Sequence, residues 1–163
     1  MKKRMLIKIL AALAILWKAY QHLRWMLCRP TYAGKVVFIS GGSSGIGEAL
    51  AKRMITLGAK KVIIAARREA ELDRVKSECE QISNKKGVVQ TFLLDLGKPE
   101  ECLRNCQALF DKEAVDIVIN NGGCSQRDPF EDIAFNVCTQ MMNVNCMSHI
   151  AVCKAVLPGM MQR

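Results

Sequence analysis

The apolar positions change their period along the chain. From residue 5 to residue 27 they recur at helical spacing, with no Pro or Gly to interrupt them. Plotted at about 100° per residue, Leu6, Ile9, Leu10, Leu13, Leu16, Trp17, Tyr20 and Leu27 gather on one side. Arg4, Lys8, Ala11, Lys18 and His22 gather on the other. Ile7, Ile15 and Trp25 fall on the basic side and Arg24 on the apolar side, so the amphipathicity is partial. Arg29-Pro30 closes this helix, because proline disfavours helix at the residue before it. Beyond it, short apolar runs alternate with helical stretches. Strands are predicted at 35–40, 61–65, 88–94 and 115–119. Helices are predicted at 45–57, 69–83, 99–112 and about 130–161, the last with a kink or break near Pro158. Gly58 stops the first of these and Pro99 opens the third. Largely apolar strands are buried on both faces, so the alternation predicts an α/β fold with a parallel sheet between two helical layers. There is no internal repeat and no low-complexity tract.

Composition changes the picture at one end only. The 163 residues carry a net charge of +9. Residues 1–35 hold eight Lys/Arg and no acid, whereas the rest sets sixteen basic residues against fifteen acidic ones. The basicity therefore belongs to the N-terminal segment, and no nucleic-acid partner is expected of the domain. Residues 1–29 read as a membrane anchor or amphipathic helix, 30–34 as a linker, and 35–163 as the sheet domain. The uncharged run 9–17 is shorter than the roughly 20 residues a bilayer requires. Two membrane readings stand: a helix lying in the interface, and a signal-anchor whose Lys8 and Lys18 snorkel. A presequence or an ordinary docking helix is the alternative, although a presequence would carry more Arg and Ser. Lys/Arg flank the run on both sides, which leaves its orientation open. The eight cysteines form no Cys-x-x-Cys pair and the two histidines are far apart, so no metal site is expected. Free thiols in a reducing compartment fit that scatter.

The chemistry is concentrated in Ser40-Gly41-Gly42-Ser43-Ser44-Gly45-Ile46-Gly47, a glycine-rich run between a strand and a helix. Gly41 permits the turn, Gly45 lets the backbone approach a pyrophosphate, and Gly47 allows close helix–sheet contact. The first N–H groups of the helix and its dipole then face the phosphates. The second strand runs into Ala66-Arg67-Arg68, where an acid would read the ribose hydroxyl of NAD. A guanidinium at Arg67 or Arg68 instead suits the 2′-phosphate, so NADP(H) is the expected cofactor. A solvated basic helix start is the alternative, but positive charge at a helix N-terminus is mildly unfavourable.

The spacing G-x-x-x-G-x-G at Gly41, Gly45 and Gly47, with a hydroxyl at Ser40, resembles the short-chain dehydrogenase/reductase family over residues 36–163. That resemblance implies a Rossmann-type doubly wound parallel sheet, of which this chain carries the first four strands. It implies adenine contact by Asp95 and Leu96; an Asp capping its own turn is the other reading of Asp95. Asn120-Asn121-Gly122-Gly123 is similar to the family's Asn-Asn-Ala-Gly signature on the adenosine side, with Gly122 in place of Ala. Asn145 matches the family Asn that supports a water in the proton relay, although a hydrogen-bonded core Asn reads the same from sequence. The motifs Asn121–Arg127 and Val156–Met160, with the basic apolar N-terminus, look like the membrane-anchored member-seven group of that family. Those reductases sit on the endoplasmic reticulum and act on retinoid, steroid and quinone carbonyls or alcohols.

The resemblance also sets a limit. The family's chemistry uses a Ser and a Tyr-x-x-x-Lys, in which the Tyr moves the proton and the Lys lowers its pKa. The only tyrosines here are Tyr20 and Tyr32, and neither is followed four residues later by Lys. Three readings are carried forward: an incomplete copy of an NADP(H)-dependent reductase or dehydrogenase, a truncated membrane-tethered nucleotide-binding or regulatory module, and a non-functional product with an exposed sheet edge. The chain alone is expected to be inactive. The last helix is a candidate homo-oligomer interface by resemblance.

Overall fold

The computed structural model describes residues 2–27 and 32–163, which divide into two compact units, Met1–Thr31 and Tyr32–Arg163. The first unit is the helix α1 (Lys2–Leu27), with no acid in its first turn and Arg24 in its last. Within the unit its apolar side chains stand exposed, Leu10, Leu13, Leu16 and Trp17 among them. The expected stop at Arg29-Pro30 lies outside the described residues.

The second unit is built on four parallel strands, β1 (Val36–Ser40), β2 (Lys61–Ala66), β3 (Val89–Leu93) and β4 (Ile117–Asn120), in the order β3-β2-β1-β4. The connecting helices are α2 (Gly45–Thr56), α3 (Glu69–Ser83) and α4 (Pro99–Phe110). Every residue of β1 is buried, as its apolar sequence requires. Its side chains alternate between two cores. Val36 and Phe38 pack with Cys102, Cys106 and Leu109 of α4 and with Ala151, Val152 and Val156 further on. Val37 and Ile39 pack with Ala51, Met54 and Ile55 of α2 and Leu72, Val75 and Cys79 of α3. The Phe38 ring meets Phe110 edge-on at 5.2 Å and Phe92 at 6.4 Å. Helices thus cover both faces of a parallel sheet, as the strand–helix alternation predicts.

Pairing shifts the expected edges by a residue or two. β4 begins at Ile117, opposite Val37, because Asp116 is engaged otherwise. Its carboxylate accepts the Val36 N–H at 2.8 Å while its own N–H donates to the Val36 carbonyl at 2.9 Å. The Val36 N–H holds the Asp116 pKa below its ordinary value, with Lys35 adding to the effect.

The last helical stretch departs from expectation at its start and near Pro158, and ends at Met161 as expected. Residues 130–134 are not α-helical: a 3-10 turn at Phe130–Asp132 follows Pro129, and Ile133 and Ala134 are extended. Then α5 (Phe135–Met142) passes through a π-helical turn (Asn143–Met147) into α6 (Ser148–Met161). Pro158 does not break α6. Proline frees the carbonyl four residues earlier, here that of Lys154, and both residues are exposed. Among the described residues, Phe135–Met161 is the one run long and apolar enough to cross a membrane. Its inner face, through Ala151, Val152 and Val156, nevertheless packs against α4 and the sheet as a core helix does.

Candidate functional site

All four strands point their C-terminal ends at one cleft of about 440 Å³. It is walled by Gly41, Ser43, Ser44 and Ile46 after β1, by Ala66, Arg67 and Arg68 at the end of β2, and by Leu94, Asp95, Leu96 and Gly97 after β3. Asn121, Gly122, Gly123 and Cys124 close it after β4. The cleft therefore sits where the strand order reverses, between β1 and β4, which is where open parallel sheets bind ligands. Eleven of the fifteen residues singled out from the sequence line it; Ser40, Gly45, Gly47 and Asn145 do not.

Ser40, Gly47 and Asn145 instead hold or admit the backbone behind the wall, as Gly41 does within it. Gly41 has φ +68°, and a side chain there would meet the Gly122 Cα at 2.6 Å, so the turns after β1 and β4 can touch only through glycine. At Gly47 an added Cβ would lie 2.1 Å from the Gly41 carbonyl oxygen and 2.7 Å from Asn121 Nδ2. Gly45 is exposed, with φ +58°. Ser40 is wholly buried and its Oγ accepts the N–H groups of Asn121 and Gly122, each at 3.1 Å. Asn121 Nδ2 returns bonds to the carbonyls of Ser40 at 3.2 Å and Gly41 at 3.3 Å. The family hydroxyl at Ser40 thus organises the wall rather than forming it.

The start of α2 faces this cleft uncapped. Ser44 stands at the N-cap in extended conformation, and its side chain makes no capping bond. The first-turn N–H groups therefore lack the usual partner, and together with the helix dipole they make a seat for an anion. Ion pairs behind the turn stiffen it: Glu48 contacts Lys52 at 2.6 Å and Arg74 at 2.8 Å, and Arg74 Nη2 lies 3.5 Å from the Ser43 carbonyl. Hydrogen bonds from Arg74 and then Lys52 hold the Glu48 carboxyl down to about 2.

Arg68 donates to Ser44 Oγ at 3.3 Å. Arg67 is exposed in the cleft wall, without a hydrogen-bond or ion-pair partner among the described residues. Asp95 lines the cleft and also caps its own turn, accepting the Gly97 N–H at 2.9 Å. Leu96 reaches over Gly122, where an added Cβ would meet its Cδ1 at 2.3 Å. Leu96 thus fills the room that the absent methyl leaves.

Asn145 sits in the π-helical turn and clamps one peptide unit from both sides. Its Oδ1 accepts the Cys124 N–H at 2.9 Å and its Nδ2 donates to the Cys124 carbonyl at 2.8 Å. Single π-turns inside α-helices often mark functional positions. Sequence reasoning did not single out Ala66, Leu94, Gly97, Cys124, Gln140 and Val144 on the wall. Gln140 lies in α5 and Val144 in the π-helical turn, and no sequence motif marks either as a wall residue. Among the described residues no cluster of three or more His, Cys, Asp or Glu side chains could hold a metal. Burial pushes the Cys79 thiol up to about 11.

Comparison with known proteins follows the same lines. The family model described as short chain dehydrogenase matches residues 35–163. The human protein "Dehydrogenase/reductase SDR family member 7" is 35% identical over 157 residues, covering 93% of this chain and 44% of the relative. "Dehydrogenase/reductase SDR family protein 7-like" of Drosophila melanogaster is 37% identical over 156 residues, with 93% and 46% covered. Among solved structures, a short-chain dehydrogenase from Sphingobium yanoikuyae in complex with NADPH matches at a TM-score of 0.71 and 26% identity. It covers 78% of this chain and 49% of that one. The chain spans less than half the length of the curated relatives it matches.

Proposed function

The chain belongs to the short-chain dehydrogenase/reductase family, and on that premise we propose that its cleft holds NADP(H) for an oxidoreductase acting on a lipophilic carbonyl or alcohol. One observation carries the reading: the uncapped start of α2, two arginines and the glycine turn after β4 converge on a single cleft at the strand ends. The residues fit the nucleotide. The α2 N–H groups and Ser43–Ser44 would take the pyrophosphate, and Arg67 with Arg68 the 2′-phosphate. Asp95 and Leu96 would flank the adenine, Asn121 to Gly123 the adenosine side, and Asn145 holds the adjoining Cys124 peptide. When bound, the nicotinamide supplies or accepts the hydride.

The lipophilic substrate class and an endoplasmic-reticulum membrane location rest on the likeness to the member-seven relatives. The basic, apolar α1 supports the membrane reading. A helix of that composition is expected to bring the full chain down with vesicles containing anionic lipid, and less so as salt rises. Equal sedimentation of a variant lacking residues 1–31 would remove that reading. The apolar exposed positions Met142, Met147, Ile150, Leu157 and Met161 support a homo-oligomer through the last helix.

A second reading, a tethered nucleotide-binding or regulatory module without catalysis, is favoured by one fact. Neither Tyr20 nor Tyr32 belongs to the cleft, so no side chain among its wall residues serves as the usual proton donor. Fluorescence titration is expected to show micromolar NADPH binding by the 163-residue chain, with no carbonyl-dependent NADPH oxidation. Absence of binding refutes the cofactor site. Measurable turnover refutes the account of the proton donor.

A further inference from the structure

The start of α6 touches the cleft at more places than Asn145. Ser148, wholly buried, donates its hydroxyl to the Leu96 carbonyl at 2.6 Å. His149 Nε2 lies 2.7 Å from the Gly122 carbonyl oxygen. A carbonyl only accepts, so Nε2 carries the proton in this contact, whatever the state of Nδ1. That Nδ1 is buried without a partner among the described residues. Asn145, Ser148 and His149 follow one another at i, i+3 and i+4, one face of a helix. From that face they reach three residues of two wall segments: Cys124 and Gly122 after β4, and Leu96 after β3.

Gly122 and Gly123 form wall with no side chains of their own, and glycine carries the largest backbone freedom of any residue. A loose turn must be ordered when a ligand binds, at a cost to affinity. The Gly122 N–H is fixed by Ser40; its carbonyl is fixed by His149. We infer that His149 is a positioning residue for the nucleotide site: its N–H holds the Gly122 carbonyl, and so keeps the glycine wall in its binding conformation before the nucleotide arrives. The inference rests on the NADP(H) reading of the cleft.

Two variants of the full chain test it. His149→Leu removes the donor, and His149→Gln keeps an N–H donor at the end of a side chain of comparable reach. Amide exchange at residues 122–124, without nucleotide, reads the turn itself; NADPH titration reads its consequence. In His149→Leu, exchange at 122–124 is expected to quicken about tenfold while the β1 amides hold, and NADPH to bind about tenfold more weakly. His149→Gln is expected to restore both to within about threefold. Should His149→Leu not fold, His149→Phe, nearer in shape, serves as the donor-less variant. Unchanged exchange and affinity in the donor-less variant overturn the inference, as does a Gln variant as impaired as the Leu one. Failure of the unaltered chain to bind NADPH overturns the cofactor reading instead, while the exchange result still decides whether His149 holds the turn.

Discussion

Replacing Gly47 with alanine is expected to abolish nucleotide binding and to destabilise the domain by about 3 kcal/mol. The added Cβ would stand 2.1 Å from the Gly41 carbonyl oxygen, well inside van der Waals contact. The obstacle is backbone, and Gly41 is itself fixed by its N–H bond to the Ala65 carbonyl at 2.8 Å. A second obstacle, Asn121 Nδ2, is 2.7 Å away and is tied to Ser40 and Gly41. Relief therefore requires α2 to move off β1, which strips Ala51, Met54 and Ile55 from the core they share with Val37 and Ile39. The same movement withdraws the α2 N–H groups from the cleft. Denaturant unfolding and NADPH titration of Gly47→Ala check the two effects together. A midpoint and affinity like those of the unaltered chain would mean that α2 and β1 are not packed as described.

Arg67→Ala is expected to weaken NADPH about 10- to 100-fold and to leave NADH almost unchanged. The estimate is that of a charge-assisted bond to phosphate, about 1.5–3 kcal/mol. Arg67 is the arginine to test because it has no partner among the described residues, whereas Arg68 is partly engaged by Ser44 at 3.3 Å. Arg68→Ala should therefore cost less. The NADPH advantage should also shrink with salt, since the arginine is exposed. Parallel titrations with NADPH and NADH measure all three. Similar affinities for the two nucleotides in the unaltered chain, or no NADPH loss in Arg67→Ala, would remove the 2′-phosphate from this account.

Much of this site could be read before any fold was known, for a physical reason. A glycine run between a strand and a helix, an arginine pair ending the second strand, and Asn121-Gly122-Gly123 after the fourth are local signals. Each occupies a strand end, and a parallel sheet collects its strand ends at one edge. The strand–helix alternation likewise determined the two-core packing of β1, because consecutive side chains of a buried strand must point opposite ways. What escaped the sequence depends on contacts between distant segments. Ser40 was read as a site residue, yet its hydroxyl is spent on Asn121 and Gly122, some eighty positions later. The start of β4 was set by Asp116 pairing with Val36. Periodicity alone ran the last helix back to residue 130, but Pro129 and the extended Ile133 and Ala134 delay it to Phe135. Ser148 and His149 carried no motif, and only the crossing of α6 past the ends of β3 and β4 gives them their partners.

The claim on which the rest depends is that a single nucleotide bridges the four strand ends. Hydrogen–deuterium exchange of the full chain, with and without saturating NADPH, tests it most directly. Protection is expected at residues 41–47, 66–68, 95–97 and 121–124, with α1 and α3 unchanged. Protection confined elsewhere, or no change at any of these four segments, would contradict it.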